Sequence, residues 1–278
     1  MTVAENMPVR VGTREFYRVR SGAPFIIGLC LLSSVYLVLI VALLLADLSF
    51  TTQSNFLGAL RSVEIRYGIR LSLITCSITA LLSLWIAVPI GYLMSRHCFR
   101  GKTFVDAVLD IPIVLPPLVI GLSLLILFRT PAGRFIERFI PMTYAVPGII
   151  LAQWMVACAF AVRTMRTTFD QISPRQEQVA LTLGCSRSQA FWQIVLPQAR
   201  RGIVAAGTLA WARALGEFGP ILIFCGATRL RTEVMPTSVF LELSVGNIEA
   251  AVAVSLLMVL AAMAVLLLVR TFGQTVVN

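Results

Sequence analysis

Two ionisable side chains stand where the sequence is otherwise hydrophobic: Arg213 and Glu217, in the run Trp211-Ala212-Arg213-Ala214-Leu215-Gly216-Glu217-Phe218-Gly219-Pro220. An arginine or glutamate inside a membrane is costly and by default marks a functional site. The two lie four residues apart, on one face of a helix, so they can pair. Counted from Gly202 at about 1.5 Å per residue, Glu217 reaches the mid-plane of a span or beyond. Gly216, Gly219 and Pro220 loosen or break a helix at that depth. The chemistry on offer is electrostatic: a charged pair beside a weakened backbone. It reads either as a functional site or as a self-neutralised pair that fixes helix packing.

Nothing else in the chain assembles into a reactive centre. Cys30, Cys76, Cys98, Cys158, Cys185 and Cys225 are scattered without a Cys-x-x-Cys pair and read as small apolar fillers. His97 is the only histidine, so neither a metal site nor a histidine proton relay is expected. Gly101-Lys102-Thr103 looks like the end of a phosphate-binding loop, but Arg96 stands where that motif needs a glycine. No catalytic residue, metal or nucleotide site is expected on this chain, and any ATP-derived energy must come from a partner.

The elements that position the charged pair are membrane helices. Hydrophobic residues make up 58% of the 278 residues and charged residues only 13%, with a mean hydropathy of +0.88. A soluble domain of this length cannot hide so much apolar surface. A crossing needs roughly 20 apolar residues. Six spans are predicted, at 24–48, 69–94, 105–128, 145–165, 202–225 and 248–269, giving an all-α polytopic bundle behind a tail at 1–22. Ala46-Asp47-Leu48 is a poor cleavage site, so the first span is read as an uncleaved helix. Orientation follows from basic residues. One side holds Arg10, Arg14, Arg18, Arg20, Arg96, Arg100, Lys102, Arg163, Arg166, Arg175, Arg187, Arg200, Arg201 and Arg270, the majority of the 23 basic residues. The other holds Arg61, Arg66, Arg70, Arg129, Arg134, Arg138, Arg229 and Arg231. Both termini are therefore expected in the cytoplasm. The net charge of +10 fits this rule and anionic lipid headgroups, and no basic cluster with interleaved aromatics suggests nucleic acid.

Between the fourth and fifth spans lies a polar interruption, about 166–201. Ser173, Pro174 and Gln176 form a helix-start pattern with a capping box, and Gly184 suits the left-handed residue that ends that helix. Ser186 with Gln189 repeats the box, and Pro197 is expected to limit the second helix. The plainer reading is a loop that only joins two spans. The spacing, however, resembles the coupling loop, or EAA motif, of ABC importer permeases: Gln178-Val179-Ala180, then Gly184, then Ile194, Leu196 and Pro197. Gln178 and Val179 depart from the acid and first alanine of that motif, and Glu177 stands next to the missing acid. The resemblance implies that Glu177, Gln178, Ala180, Gly184, Ile194, Leu196 and Pro197 couple to an ATPase subunit.

The third span carries Pro112, Pro116, Pro117 and Gly121, which bend a helix near a cavity or serve packing alone. That run, from Asp106, and the segment Arg213 to Gly219 resemble the molybdate, tungstate and sulfate branch of the same permeases. The resemblance covers roughly residues 65 to 270. It implies a type I importer permease for a tetrahedral oxyanion, with molybdate or tungstate ahead of sulfate or thiosulfate. Pro116, Pro117, Arg213, Glu217, Phe218 and Gly219 would then line a path or gate. It also implies two ATP-binding partner subunits carrying ATP and magnesium, an extracytoplasmic binding protein, a second permease copy and a prokaryotic cell-membrane location.

Outside, Val239, Phe240 and Leu243 are spaced for a short amphipathic helix with Glu242 on its polar side, ended by Gly246; Asn247 and Glu249 start the last span. An ion-coupled secondary transporter would show paired inverted repeats and acids on several spans. A membrane enzyme would need a nucleophile with a base, or metal ligands. Neither pattern is present.

Overall fold

The computed structural model describes residues 23–50 and 53–275, and every regular element among them is helical. The tail at 1–22, with Arg10, Arg14, Arg18 and Arg20, lies outside the described residues, as does the side chain of Arg270. The chain divides into two compact units, one ending at Asp47 and the other running from Leu48. In the first, α1 (Ala23–Phe50) is a continuous apolar helix of 28 residues, about 42 Å long and enough to cross a bilayer core of about 30 Å.

The second unit is built around three helices. α2 (Gln53–Arg61) leads into α3 (Val63–Arg96), which starts before the predicted 69 because Ser62 caps it, accepting from the Ile65 amide at 3.2 Å. Arg66 and Arg70 face outward there, so they do not interrupt the helix. α7 (Val146–Gln171) continues past the predicted 165 with Arg163, Arg166 and Asp170 in its last turns. α11 (Arg200–Leu215) packs on both α3 and α7.

Small residues let these backbones approach: Ala87, Ala157, Ala161, Ala206 and Ala210 are buried, with Met165 and Phe169 filling between them. At Gly91 a Cβ would stand 2.8 Å from Met165 Cβ, so only glycine fits without a shift. Lipid tails are as apolar as these side chains, so close dispersion contact rather than burial from water holds the helices together. A second apolar core lies towards the start of α7, where Ile149, Ala152 and Val156 meet Ile120, Leu124, Ile221 and Phe224.

The third and fifth predicted spans are each two helices. α4 (Lys102–Val114) and α5 (Pro117–Arg129) meet at 109°. Leu115 and Pro116 are extended at the corner because each precedes a proline. After α11 the chain unwinds at Gly216–Phe218 and resumes as α12 (Gly219–Phe224). Among the described residues α1, α3, α7 and α14 (Ile248–Thr275) are each long and apolar enough to cross, and α4 with α5 makes a fifth, broken crossing; α11 with α12 corresponds to the remaining predicted span.

Short helices join them. α6 (Pro131–Glu137) follows α5, its first turn capped by Thr130. α8 (Pro174–Thr182), α9 (Arg187–Ala190), a π turn at Phe191–Val195 and α10 (Leu196–Gln198) precede α11. Two cap expectations separate here. Ser186 and Gln189 form the predicted capping box, with bonds of 3.2 and 2.8 Å, whereas the Ser173 side chain caps nothing. Pro197 does not stop its helix. In the π turn the Leu196 amide bonds back to the Phe191 carbonyl, so Pro197 sits at the start of a re-registered turn where no amide is required. The break comes two residues later, at Ala199.

α13 (Met235–Val245) corrects the amphipathic expectation. Glu242 is buried, accepting from Arg229 at 2.8 Å and Asn247 at 3.0 Å, while Phe240 and Leu243 are exposed. The polar groups turn inward because partners await them there, the reverse of a helix lying on a watery surface. Gly246 ends α13 at φ 83° and the Asn247 side chain caps α14, as predicted.

Candidate functional site: a surface segment and two broken spans

The surface segment is organised by its glycine. The Cys185 amide bonds to Ala180 O at 3.0 Å and the Gly184 amide to Leu181 O at 3.1 Å, with Gly184 at φ 91°. This is the six-to-one and five-to-two bonding of a left-handed helix end. A Cβ at Gly184 would meet open space, so its requirement is conformational, not steric.

Ala180, Ala190 and Val195 are buried and fasten the segment to the bundle, with Ile194 and Leu196 half-buried beside them. Glu177 also faces inward. Tyr92 Oη donates to its carboxylate at 2.5 Å, and Arg96 Nε lies 3.4 Å from it. Arg96 in turn donates to the Ile172 carbonyl at 2.8 Å, and the Tyr92 ring packs edge-on against Phe169 and Phe191. Glu177 is thus committed to α3, and Gln178 is the residue of that pair that points outward. Pro197 is exposed. Three large apolar residues share the outward surface: Val179, Leu183 and Trp192, with Leu183 80% exposed. Beneath α8 a cavity of about 590 Å³ is lined by Tyr92, Arg96, His97, Glu177, Arg187 and Phe191 among others.

The two broken spans meet one another. α12 packs chiefly on α5: a Cβ on Gly219 would stand 3.1 Å from Pro117 Cβ, and one on Gly121 2.8 Å from Pro220 Cα. Pro116 caps the start of α5 at the same corner. In the gap between α11 and α12, Glu217 is buried and pairs with Arg213 at 2.5 Å. The Arg213 guanidinium keeps partial exposure and lies 5.8 Å over the Phe160 ring. Phe218 stacks tilted on Phe240, 5.5 Å away. The structure therefore groups Pro116, Pro117, Arg213, Glu217, Phe218 and Gly219 around one discontinuity and gathers the predicted coupling residues in a separate one.

Reading the sequence missed Tyr92, Leu183 and Trp192 as site residues, and took Val179 only as a departure from the motif's first alanine. It also used Arg163 and Arg166 only for orientation. They bind α4 to α7, Arg163 to Asp110 at 2.9 Å and Arg166 to Asp106. Aspartates at i and i+4 opposite arginines at i and i+3 were the available signal.

Comparison with known proteins decides the family. The family described as binding-protein-dependent transport system inner membrane component matches residues 87–278, more than half of the chain and all of both discontinuities. The chain belongs to this family. Among similar proteins, the sulfate transport system permease protein CysT of Salmonella typhimurium is 29% identical over 270 residues, covering 94% of this chain and 97% of that one. The probable molybdenum ABC transporter permease protein HVO_B0370 of Haloferax volcanii is 35% identical over 202 residues, 73% of each chain. The molybdate/tungstate transport system permease protein WtpB of Pyrococcus abyssi is 39% identical over 156 residues, covering 56% of this chain and 59% of that one. A solved bacterial ABC transporter involved in import of the acidic polysaccharide alginate shares the fold, with a TM-score of 0.74 at 14% identity over 91% of this chain and 96% of that one. A chain of the MetNI methionine ABC transporter does so at 0.62 and 16% identity, over 75% and 94%. This permease is a multi-pass inner-membrane subunit with the ABC importer fold.

Proposed function

We propose that this permease carries a tetrahedral oxyanion into the cytoplasm, driven by ATP hydrolysis on two partner subunits, with molybdate or tungstate as preferred cargo. The observation that carries the cargo class is agreement among relatives: permeases named for sulfate, molybdenum and molybdate/tungstate align with this chain, one of them over 94% of its length. Higher identity to the molybdate/tungstate permeases favours the larger anions. Sulfate is the second reading, favoured by the longer alignment.

The mechanism is alternating access. A loaded binding protein docks on the extracytoplasmic face. Two permease copies of this chain frame one pathway. ATP and magnesium act on the partner ATPases, not here. The surface segment sits in a groove on each ATPase, presenting Gln178, Val179, Leu183 and Trp192, and its buried side transmits movement through Glu177 to α3. At the broken spans Phe218 and Pro117 form the gate. Arg213 offers a cation to a passing dianion, and Glu217 balances that charge so the anion is not trapped. Both termini and the surface segment lie in the cytoplasm.

Cells lacking this chain, grown on limiting molybdate, tungstate or sulfate, test the cargo by elemental analysis against complemented cells. Loss of molybdenum or tungsten with normal sulfur supports the reading. Loss of sulfur moves the cargo to sulfate, and no change in any of the three contradicts an oxyanion.

A further inference from the structure

The break in the fifth span has a second support, a buried amide on α7. Gln153 is 2% exposed and bonds to two other helices. Its Oε1 accepts from Thr79 Oγ1 of α3 at 3.2 Å. Its Nε2 donates to the Ala214 carbonyl at 3.2 Å and reaches Cys76 Sγ at 3.6 Å. Ala214 lies in the last turn of α11, and the same carbonyl accepts from the Glu217 amide at 3.2 Å. One oxygen thus serves both the α7 side chain and the backbone of the unwound residue.

A helix that ends inside a membrane leaves carbonyls without amide partners, and no water is at hand to take their place. At Ala214 the Glu217 amide takes one place on the carbonyl and Gln153 supplies a second donor. A buried amide also costs free energy unless its own groups are bonded, and here the donor and acceptor are both used.

The location gives this bond a mechanical meaning. Just before and after Gln153, Ala152 and Val156 belong to the core shared with α5 and α12, while Ala157 and Ala161 belong to the core shared with α3 and α11. Gln153 stands at the boundary and ties only the α11 side. On the other side, α12 is keyed to α5 by Gly121 against Pro220 and Gly219 against Pro117. No bond from the Gly219 amide reaches back to a carbonyl of α11, and Pro220 has no amide to give, so the helix ladder is interrupted where the two packed groups part.

We propose that Gln153 is a positioning residue that clamps the end of α11 to α3 and α7, making Gly216–Phe218 the hinge about which α12 and α5 move as one body. Glu217 and Phe218 are then held at the hinge itself, and the bond to Ala214 fixes where they stand. The clamp concerns this chain's own geometry; its link to transport rests on the permease function proposed above.

The test uses the assembled transporter with Gln153→Leu, Gln153→Glu and Thr79→Val. Hydrogen exchange at the Gly216 and Glu217 amides reads the hinge without any cargo. Gln153→Leu is expected to raise exchange there about tenfold while leaving α8 and α9 unchanged. Gln153→Glu keeps the shape and, as the neutral acid, both donates and accepts; its protection at these amides, after correction for the intrinsic base-catalysed rise in exchange, is expected to match wild type at low pH and fall towards the leucine variant as pH increases, with wild-type protection unchanged over that range. Thr79→Val removes the bond to Oε1, together with the longer one to the Ile150 carbonyl at 3.5 Å within reach of the same hydroxyl, and is expected to give a smaller rise, about two- to threefold. Anion uptake per ATP hydrolysed should fall in the same order. If Gln153→Leu fails to assemble, the pH profile of Gln153→Glu and the Thr79→Val exchange decide. Wild-type exchange at Gly216 and Glu217 in Gln153→Leu, or a Gln153→Glu profile that is flat and wild-type-like at high pH together with unchanged Thr79→Val, overturns the clamp. Absence of ATP-driven oxyanion uptake by wild type would instead contradict the proposed cargo and leave the exchange result to stand by itself.

Discussion

The surface segment and the break in the fifth span both interrupt helices, by different means. The segment is folded by near neighbours: Gly184 turns it through bonds to Ala180 and Leu181, and Ser186 with Gln189 restarts it. The break is folded by distant ones. Its residues are placed by α5 through Pro117 and Gly121 and by α7 through Gln153. A locally folded element keeps its shape while moving as a piece, which suits a contact that must follow another protein. An element held from several helices changes when those helices move, which suits a gate. If this contrast is right, changes in the surface segment should spoil coupling while the bundle stays intact, and changes at the break should unsettle the bundle itself.

The largest effect is expected at the break. Glu217→Gln leaves Arg213 without its counter-ion, and breaking a buried pair from one side costs about 3 kcal/mol or more. Chemical unfolding of the purified transporter should show that loss, and Arg213→Gln with Glu217→Gln should recover much of it. An additive double variant would mean that the pair is not coupled.

In the surface segment, Gly184→Val forces a branched residue to φ 91°, costing about 2 kcal/mol locally. ATP hydrolysis should persist while uptake falls. Coupled transport at the wild-type level would remove this segment from the coupling mechanism. Glu177→Gln weakens the bonds to Tyr92 and Arg96 by about 1.5 kcal/mol. It should loosen α8 from α3, seen as faster amide exchange in α8 with the break unaffected. Ser186→Ala removes a cap worth about 1 kcal/mol and should fray α9 alone.

A smaller effect separates the outer face from both regions. Glu233, between α12 and α13, is buried and accepts from Ser238 Oγ at 2.8 Å. Burial raises its carboxyl above the usual 4.5, against weaker opposing effects of Ser238 and Arg229. The native fold therefore holds this proton more tightly than the unfolded chain does. The stabilisation is complete below the ordinary carboxylate value and is lost as pH rises through the native one. Amide protection in residues 226–234, corrected for the intrinsic rise of exchange with pH, should fall over that range, and Glu233→Gln should flatten the dependence.

The same contrast explains what could be read from the amino-acid order. The left-handed turn at Gly184, the Ser186 box, the Asn247 cap and the corner at Pro116-Pro117 are short-range, and each was legible. So was the Arg213–Glu217 pair, a matter of four-residue spacing. The inward face of Glu242 was not, because alternation of polar and apolar residues does not say which side carries partners. Pro197 misled because the π turn before it moves the helix register. Glu177 looked like a stand-in for the acid missing at Gln178, and only the fold brings Tyr92 and Arg96 to it. Gln153 carries no local signal at all.

Reconstituted vesicles test the central claim most directly. The permease, its ATPase subunits and the binding protein are combined, and labelled molybdate is followed with ATP on the ATPase side or with a proton gradient alone. Uptake that requires ATP and the binding protein, and stops in Gly184→Val while hydrolysis continues, is the predicted result. Uptake on the proton gradient without ATP would contradict it.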